Sequence, residues 1–430
     1  MTIRIYKDLD DRTRSALMKR PAVQTVGVAT AAADVIQNVA DGGDRAVRRY
    51  TKEFDGVELL SFRALPEEIK HAQATVAEET RRAIEDSVSA IRAFHLSQIP
   101  RPSRVETRQG VECRLEWKPI RRVGLYVPGG SAPLVSTLLM LAVPAQIAGC
   151  DEIAVFTPPR RDGSISPEIL FALDLLGLPS LFKIGGAQAI AAMAVGTESI
   201  PRVDKIFGPG NRYVAAAKAV VAQPPYNVAV DMIAGPTELL VVADDSSNAA
   251  WVAADLLSQA EHGADSHVIL VTPSESFARR VDEQISGQLS NLSRSDIVRR
   301  SLESSQAIIV DDLEEAILVS NRYAPEHLVI ATENAEELVP RISNAGSVFL
   351  GPLASVVFGD YASGTNHTLP TGGTAVASGG LTVASFLKPI FIQRVTRPAV
   401  RSLVQTAATL AQAEGLDGHA RAAQMRDIEL

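Results

Sequence analysis

The chain has 430 residues, 46% of them hydrophobic and 21% charged, with a formal net charge of -8. That length supports two or more α/β cores, and the acidic balance without a basic run argues against a nucleic-acid-binding surface. The two cysteines, Cys113 and Cys150, form neither a CxxC metal motif nor a disulfide framework.

The opening MTIRIYKDLDDRTR is charged from the start, so no signal peptide is expected. The apolar run 138–148 is too short to span a bilayer. A cytoplasmic protein without membrane or nucleic-acid partners is the expectation. A short helix is predicted over 9–19, ending before Pro21. In 30–54 a capping threonine and Val35, Ile36, Val39 and Val47 at near-helical spacing predict a helix, broken at Gly42-Gly43. Residues 66–96 read as one long polar and alanine-rich helical run, and 105–119 alternates around Gln109-Gly110 as a hairpin.

From Arg121 onward, short apolar strands at 123–127, 153–157, 181–184 and 205–207 each lead through a turn into a helix. Four such units predict a largely parallel sheet, with ligand-binding loops at its strand ends. A second series of strands is expected at 228–232, 239–242, 268–271, 308–310, 328–330 and 348–350, with helices at 249–262, 277–289, 313–319 and 335–342. Residues 351–380 are rich in Gly, Thr and Ser, and so long a polar loop is usually functional. Helix-forming sequence returns over 387–429.

Three glycine-rich turns, VPGGSAP (127–133), IGGAQA (184–189) and FGPGNRY (207–213), each join a strand to a helix. Glycine lets the backbone approach a ligand, and a helix N-terminus offers amides to an anion. None is a GxGxxG or GxxxxGK[ST] motif. Each alone is accounted for by a plain turn; together they point to a phosphate-bearing cofactor, with Tyr126, Gln188 and Asn211 placed to hold the rest of it.

His71 and His95, in the polar helical region, read as surface residues, and His267 as structural. The other four, His262, His327, His367 and His419, stand beside polar chemistry. In DLLSQAEH (255–262), Gln259 and His262 continue the stripe of Val252 and Leu256 at helical spacing. Inward-facing polar groups need hydrogen bonds or a bound ligand. They either pair with neighbouring loops or supply two ligands of a zinc ion completed from distant segments. Glu326-His327 could divide proton transfer, the histidine taking an alcohol proton and the glutamate activating water; an ion pair at a strand end is the alternative. Asp360 could supply an oxygen ligand or simply favour a turn.

Longer motifs follow in one order: VGLYVPGG (123–130), GGAQAIAA (185–192), VDKIFGPGN (203–211), DMIAGPTE (231–238), DLLSQAEH, NRYAPEHL (321–328), GDYASGTNHTLPT (359–371) and AEGLDGHARAAQMR (413–426). With them the chain resembles the histidinol dehydrogenases over essentially its whole length. The resemblance implies an α/β fold of two incomplete Rossmann-like domains with largely parallel sheets. The first, 25–125 and 237–381, is interrupted by an inserted NAD-associated domain, 126–236. Small helical segments, 1–24 and 382–430, flank them.

The resemblance also implies one Zn2+ per subunit, held by Gln259, His262, Asp360 and His419, with Glu326 and His327 as the catalytic pair. Substrate contacts match Thr237, His367 and Glu414 together with Gln259, His262, His327, Asp360 and His419; NAD contacts match Tyr126, Gln188 and Asn211. Glu414 and His419 serve the other subunit's site in that family, which implies a homodimer. The implied reaction is the NAD-dependent, four-electron oxidation of L-histidinol through L-histidinaldehyde to L-histidine, the last steps of histidine biosynthesis. Two departures leave open a paralogue acting on another small polar alcohol, such as a sulfonated diol. Thr237 stands where the family usually has serine, and Gly418 precedes His419 in GLDGHARAA where GLxAHxxAV is usual.

Overall fold

The structure, a computed structural model, describes residues 4–7, 13, 16–20, 27–129, 134–178 and 180–428. Most of the helix expected over 9–19, and positions 130–133 of the first glycine-rich turn, lie outside the described residues.

Strand β1 (Arg4–Tyr6) precedes helix α1 (Val28–Tyr50), whose buried side includes Val35, Ile36, Val39 and Val47. Gly43 leaves helical conformation there at φ 52°, as the expected break requires. The run 66–96 is two helices, α2 (Pro66–Thr75) and α3 (Glu78–Leu96), because Val76 and Ala77 are extended. That kink turns Val76 into the core. The hairpin forms as expected from β2 (Ser103–Arg108) and β3 (Val111–Pro119).

Next come β4 (Arg122–Tyr126), α4 (Val135–Ala148), β5 (Glu152–Phe156), α5 (Pro167–Leu175) and β6 (Leu181–Phe182). They are followed by α6 (Gly186–Val195), β7 (Lys205–Phe207), α7 (Arg212–Val221) and β8 (Ala229–Val230). These strands make a five-stranded parallel sheet in the order β6-β5-β4-β7-β8. The order reverses at β4, so a crevice opens outside the carboxyl ends of β4 and β7. Both faces of the sheet are covered, which is why its central strands are continuous apolar runs. Helix α1 packs on α6 and α7, α2 on α5, and α3 on α4. Residues 28–96 thus pack against this sheet through those helices.

The second series gives β9 (Glu238–Val242), α8 (Ala249–Ala260), β10 (His267–Thr272), α9 (Glu275–Leu289), α10 (Ser295–Leu302) and β11 (Gln306–Ile309). It continues through α11 (Leu313–Tyr323), β12 (His327–Ile330), α12 (Ala335–Leu338), β13 (Ser347–Leu350) and α13 (Val356–Tyr361). Its parallel sheet runs β1-β11-β10-β9-β12-β13, with β9 at the reversal. The expected strand 228–232 belongs instead to the five-stranded sheet, as β8.

The C-terminal segment is not wholly helical. Strand β14 (Leu387–Val395) comes first and pairs antiparallel with β3 over its full length; only then follow α14 (Val400–Ala413) and α15 (Asp417–Ile428). A lone hairpin is marginal in water, and β14 completes a three-stranded sheet on the β2–β3 pair. No described helix is long and apolar enough to cross a membrane.

Candidate active site

Two cavities share Pro128 in their walls. The larger, about 920 Å³, lies at the carboxyl ends of the five-stranded sheet and is lined by Tyr126, Gly186, Gln188 and Asn211 among others. The smaller, about 240 Å³, is walled on one side by Thr137, Pro209 and Gly210. Its other side brings together Thr237, Gln259, His262, Glu326, His327, Asp360 and His367. Thr237-Glu238 and Glu326-His327 stand at the amino ends of β9 and β12, so the small cavity sits between the carboxyl ends of one sheet and the amino ends of the other.

Local structure fixes the glutamate–histidine pair. Helix α11 ends at Ala324, which adopts φ 52°, a left-handed conformation that costs a residue with a Cβ. Arg20 offsets this by donating to the carbonyls of Tyr323 at 2.7 Å and Ala324 at 3.3 Å. The same guanidinium donates to Glu238 Oε2 at 2.8 Å and lies 4.1 Å over the Tyr323 ring. The backbone amide of Glu238 donates to Glu326 Oε2 at 2.8 Å, and its carbonyl lies 3.1 Å from His327 Nδ1.

Thr237 ties the next residue in. Its hydroxyl donates to Glu326 Oε2 at 2.6 Å and accepts from Gln259 Nε2. With the amide nitrogen so engaged, Gln259 Oε1 is left buried and without a hydrogen-bond partner, as is His327 Nε2. His327 Nε2 is 3.8 Å from Asp360 Oδ1, and its Nδ1 is 3.5 Å from Glu326 Oε2. Burial alone would push the imidazole down, but the Glu326 and Asp360 carboxylates and the Glu238 carbonyl outweigh it and lift His327 to about 9.

Helix α8 carries Gln259 but not His262. Asn248 caps its start through the amides of Ala250 and Trp251, and the helix ends at Ala260. Helical spacing therefore does not extend to 262: Gln259 is buried as expected, whereas His262 is exposed at the cavity mouth. His367 sits between the Asp360 carbonyl, 3.2 Å from Nδ1, and Thr137 Oγ1, 3.4 Å from Nε2. Glu414 and His419 are exposed on the C-terminal arm and do not line the cavity of their own chain. Among the described residues no group of three or more His, Cys, Asp or Glu is placed to hold a metal ion.

In the larger cavity the Tyr126 hydroxyl accepts from the Gly186 amide at 3.0 Å, and burial pushes the phenol up to about 12. Gln188 is fully buried; its Nε2 donates to Asp55 Oδ2 at 3.1 Å. Asn211 caps α7 through the amides of Tyr213 and Val214. The turn before it is held by a buried Lys218–Asp231 ion pair, with Asp231 accepting from the Gly208 amide at 2.7 Å. Gly208 has φ 112° and lies against the Tyr126 carbonyl, where no side chain fits.

His95 is not a surface residue. It is fully buried, with Nδ1 2.8 Å from the Ile91 carbonyl and Nε2 3.2 Å from Asn366 Nδ2. Asn366 also donates to the Met140 carbonyl at 2.7 Å, which pins the segment between Asp360 and His367. The signal was present: Ile84, Ser87, Ile91 and His95 share one helical face. Reasoning from sequence also missed Asp55, Thr137, Arg20 and Glu238, none of which stands out from its local pattern.

The sequence profile of the histidinol dehydrogenase family matches residues 18–427. The histidinol dehydrogenase of Xanthomonas euvesicatoria pv. vesicatoria is 50% identical over 428 residues, covering 99% of each chain. That of Mannheimia succiniciproducens is 46% identical over 423 residues, covering 98% of each. The crystal structure of histidinol dehydrogenase from Elizabethkingia anophelis superposes with a TM-score of 0.97 at 44% identity, covering 100% of this chain and 98% of that one. The chain belongs to the histidinol dehydrogenase family.

Proposed function

We propose that this chain oxidises L-histidinol, through L-histidinaldehyde, to L-histidine with NAD as acceptor, completing histidine biosynthesis. One observation carries the reading: a buried glutamate–histidine pair leaves His327 Nε2 unpartnered in a small polar cavity that adjoins a dinucleotide-sized one at Pro128. Substrate held in the first cavity and a dinucleotide held in the second would be neighbours. NAD, when bound, takes the hydride, and Zn2+, when bound, orients and polarises the amino alcohol as a Lewis acid.

The donor set fits zinc. Gln259 Oε1 is buried and unpartnered, and His262 and Asp360 line the same cavity. An amide oxygen, an imidazole and a carboxylate are hard or borderline donors that suit the ion. The partner subunit's His419 would complete the shell, and Glu414 would reach the substrate in the same way. Support for a homodimer comes from the arm itself, where Phe391 is 82% exposed and Leu410, Leu416 and Met425 are bare. The reversal of strand order in both parallel sheets supports the reading of each as an incomplete Rossmann-like unit.

With the Glu238 carbonyl beside Nδ1, that nitrogen keeps its proton, and His327 offers Nε2 to the alcohol O–H once it has given up the second proton that the Glu326 and Asp360 carboxylates favour on the ring. Glu326 is aligned by Thr237 and the Glu238 amide. It takes a proton from water as the water adds to the aldehyde, giving the hydrate that loses the second hydride. The Thr237 hydroxyl makes the hydrogen bond that a serine would make, which supports histidinol as the substrate. The test is NADH formation from L-histidinol before and after chelation. Metal-replete protein that ignores histidinol would move the reading to another small polar alcohol, and full activity after confirmed zinc removal would remove the metal from it.

A further inference from the structure

In the larger cavity Gln188, an NAD contact by the family resemblance, stands beside a carboxylate that has no role in the reading above. Asp55 closes the π-helical turn at the end of α1, and its carboxylate takes the only side-chain amide hydrogen bond that Gln188 makes among the described contacts. That bond uses one of the two Nε2 hydrogens, fixes the orientation of the amide and leaves Oε1, fully buried and unpartnered, as a second acceptor beside the carboxylate. Burial pushes the Asp55 carboxyl up to about 6, so the group is still charged at neutral pH. A site that presents two acceptors and a negative charge takes hydroxyl or amino groups and repels phosphate.

In doubly wound sheets the acid that holds the cofactor's ribose usually follows the second strand. Here that strand is β5, and the cavity wall after it reads Thr157, Pro158, Pro159, Arg160 and Arg161, with no carboxylate. The acid comes from another element instead. We propose that the Asp55 carboxylate and Gln188 Oε1 form a subsite for a ribose hydroxyl pair of the dinucleotide, and that Asp55 thereby excludes a ribose 2′-phosphate. Arg160 and Arg161 pull the other way, since an arginine after the second strand can accommodate that phosphate. Both are exposed, where solvent screening leaves an ion pair worth severalfold at most, whereas Asp55 acts from a half-buried position. This inference rests on the NAD reading above.

The test is titration of the protein with NADH and with NADPH, followed by nucleotide fluorescence, for the wild type, Asp55→Asn and the smaller Asp55→Ser. The wild type is expected to prefer NADH by about tenfold or more. Each variant should weaken NADH binding by about ten- to a hundredfold, the worth of a charged hydrogen bond, and shrink the NADH-to-NADPH ratio by at least about tenfold. Circular dichroism confirms folding, and either variant alone suffices. A wild type that binds both nucleotides equally, or variants that change both affinities by one factor, would overturn the subsite. A wild type that binds neither nucleotide would instead overturn the NAD reading on which it rests.

Discussion

The two parallel sheets meet the active cleft with opposite ends. The five-stranded sheet offers its carboxyl ends, where tight turns expose backbone amides and one glycine, Gly208, packs on the neighbouring strand. The six-stranded sheet offers its amino ends, where side chains do the work: Thr237 enters β9, Glu326 and His327 enter β12, and Gln259 ends α8. On the proposed function, cofactor holding and proton transfer would therefore rest on separate frameworks. Changes on one side should leave the other side's function standing.

The largest expected effect probes that separation. Glu326→Gln keeps the shape and removes the base, so oxidation of the aldehyde should fall by roughly a thousandfold, within the usual range of general-base contributions. Oxidation of the alcohol should fall less, and NADH affinity should stay within about twofold, because Glu326 lines the small cavity and not the larger one. Single-turnover rates on histidinol and on histidinaldehyde, with a parallel NADH titration, would show it. Equal loss of both steps removes water activation from Glu326, and a large loss of NADH binding breaks the comparison.

Arg20→Met sharpens it through stability. Among the described residues Arg20 alone neutralises Glu238, which is 2% exposed and whose backbone holds both Glu326 and His327. Leaving that carboxylate uncompensated should cost about 3 kcal/mol in chemical denaturation and lower turnover. Unchanged stability would mean that the Gly372 amide, 2.8 Å from Glu238 Oε1, suffices.

A smaller effect concerns pH. Burial, with Arg20 nearby, lowers His267 to about 4, and Tyr323 Oη lies 2.8 Å from its Nδ1. The folded state keeps this ring neutral while the unfolded chain takes up a proton near 6.5. The stability it contributes is therefore complete above that pH and is lost as pH falls toward 4. Relative to His267→Gln, the wild type should lose roughly 2 kcal/mol across that window. Parallel pH profiles of the two proteins would expose a wrong sign at once.

Legibility in the sequence followed the same division. The five-stranded sheet announces itself through four strand–turn–helix repeats, because glycine turns are local signals. On the other side, Gln259 stood out as a polar residue on an apolar stripe, but His262 did not obey the same spacing because the helix stops at Ala260. Strand β14 was hidden because its partner β3 lies far away in sequence, and nothing local says that 387–395 pairs rather than coils. His95 looked polar and exposed until the face it shares with Ile84 and Ile91 met the segment around Asn366. The Arg20–Glu238 pair is a contact between distant residues, which no window of sequence contains.

The central claim is that one cleft carries an alcohol all the way to an acid. The most direct measurement counts NADH formed per L-histidinol consumed by the metal-replete wild type, with the organic product identified by mass spectrometry. The account predicts two NADH and histidine for each histidinol. One NADH with released histidinaldehyde, or no NADH at all, would contradict it.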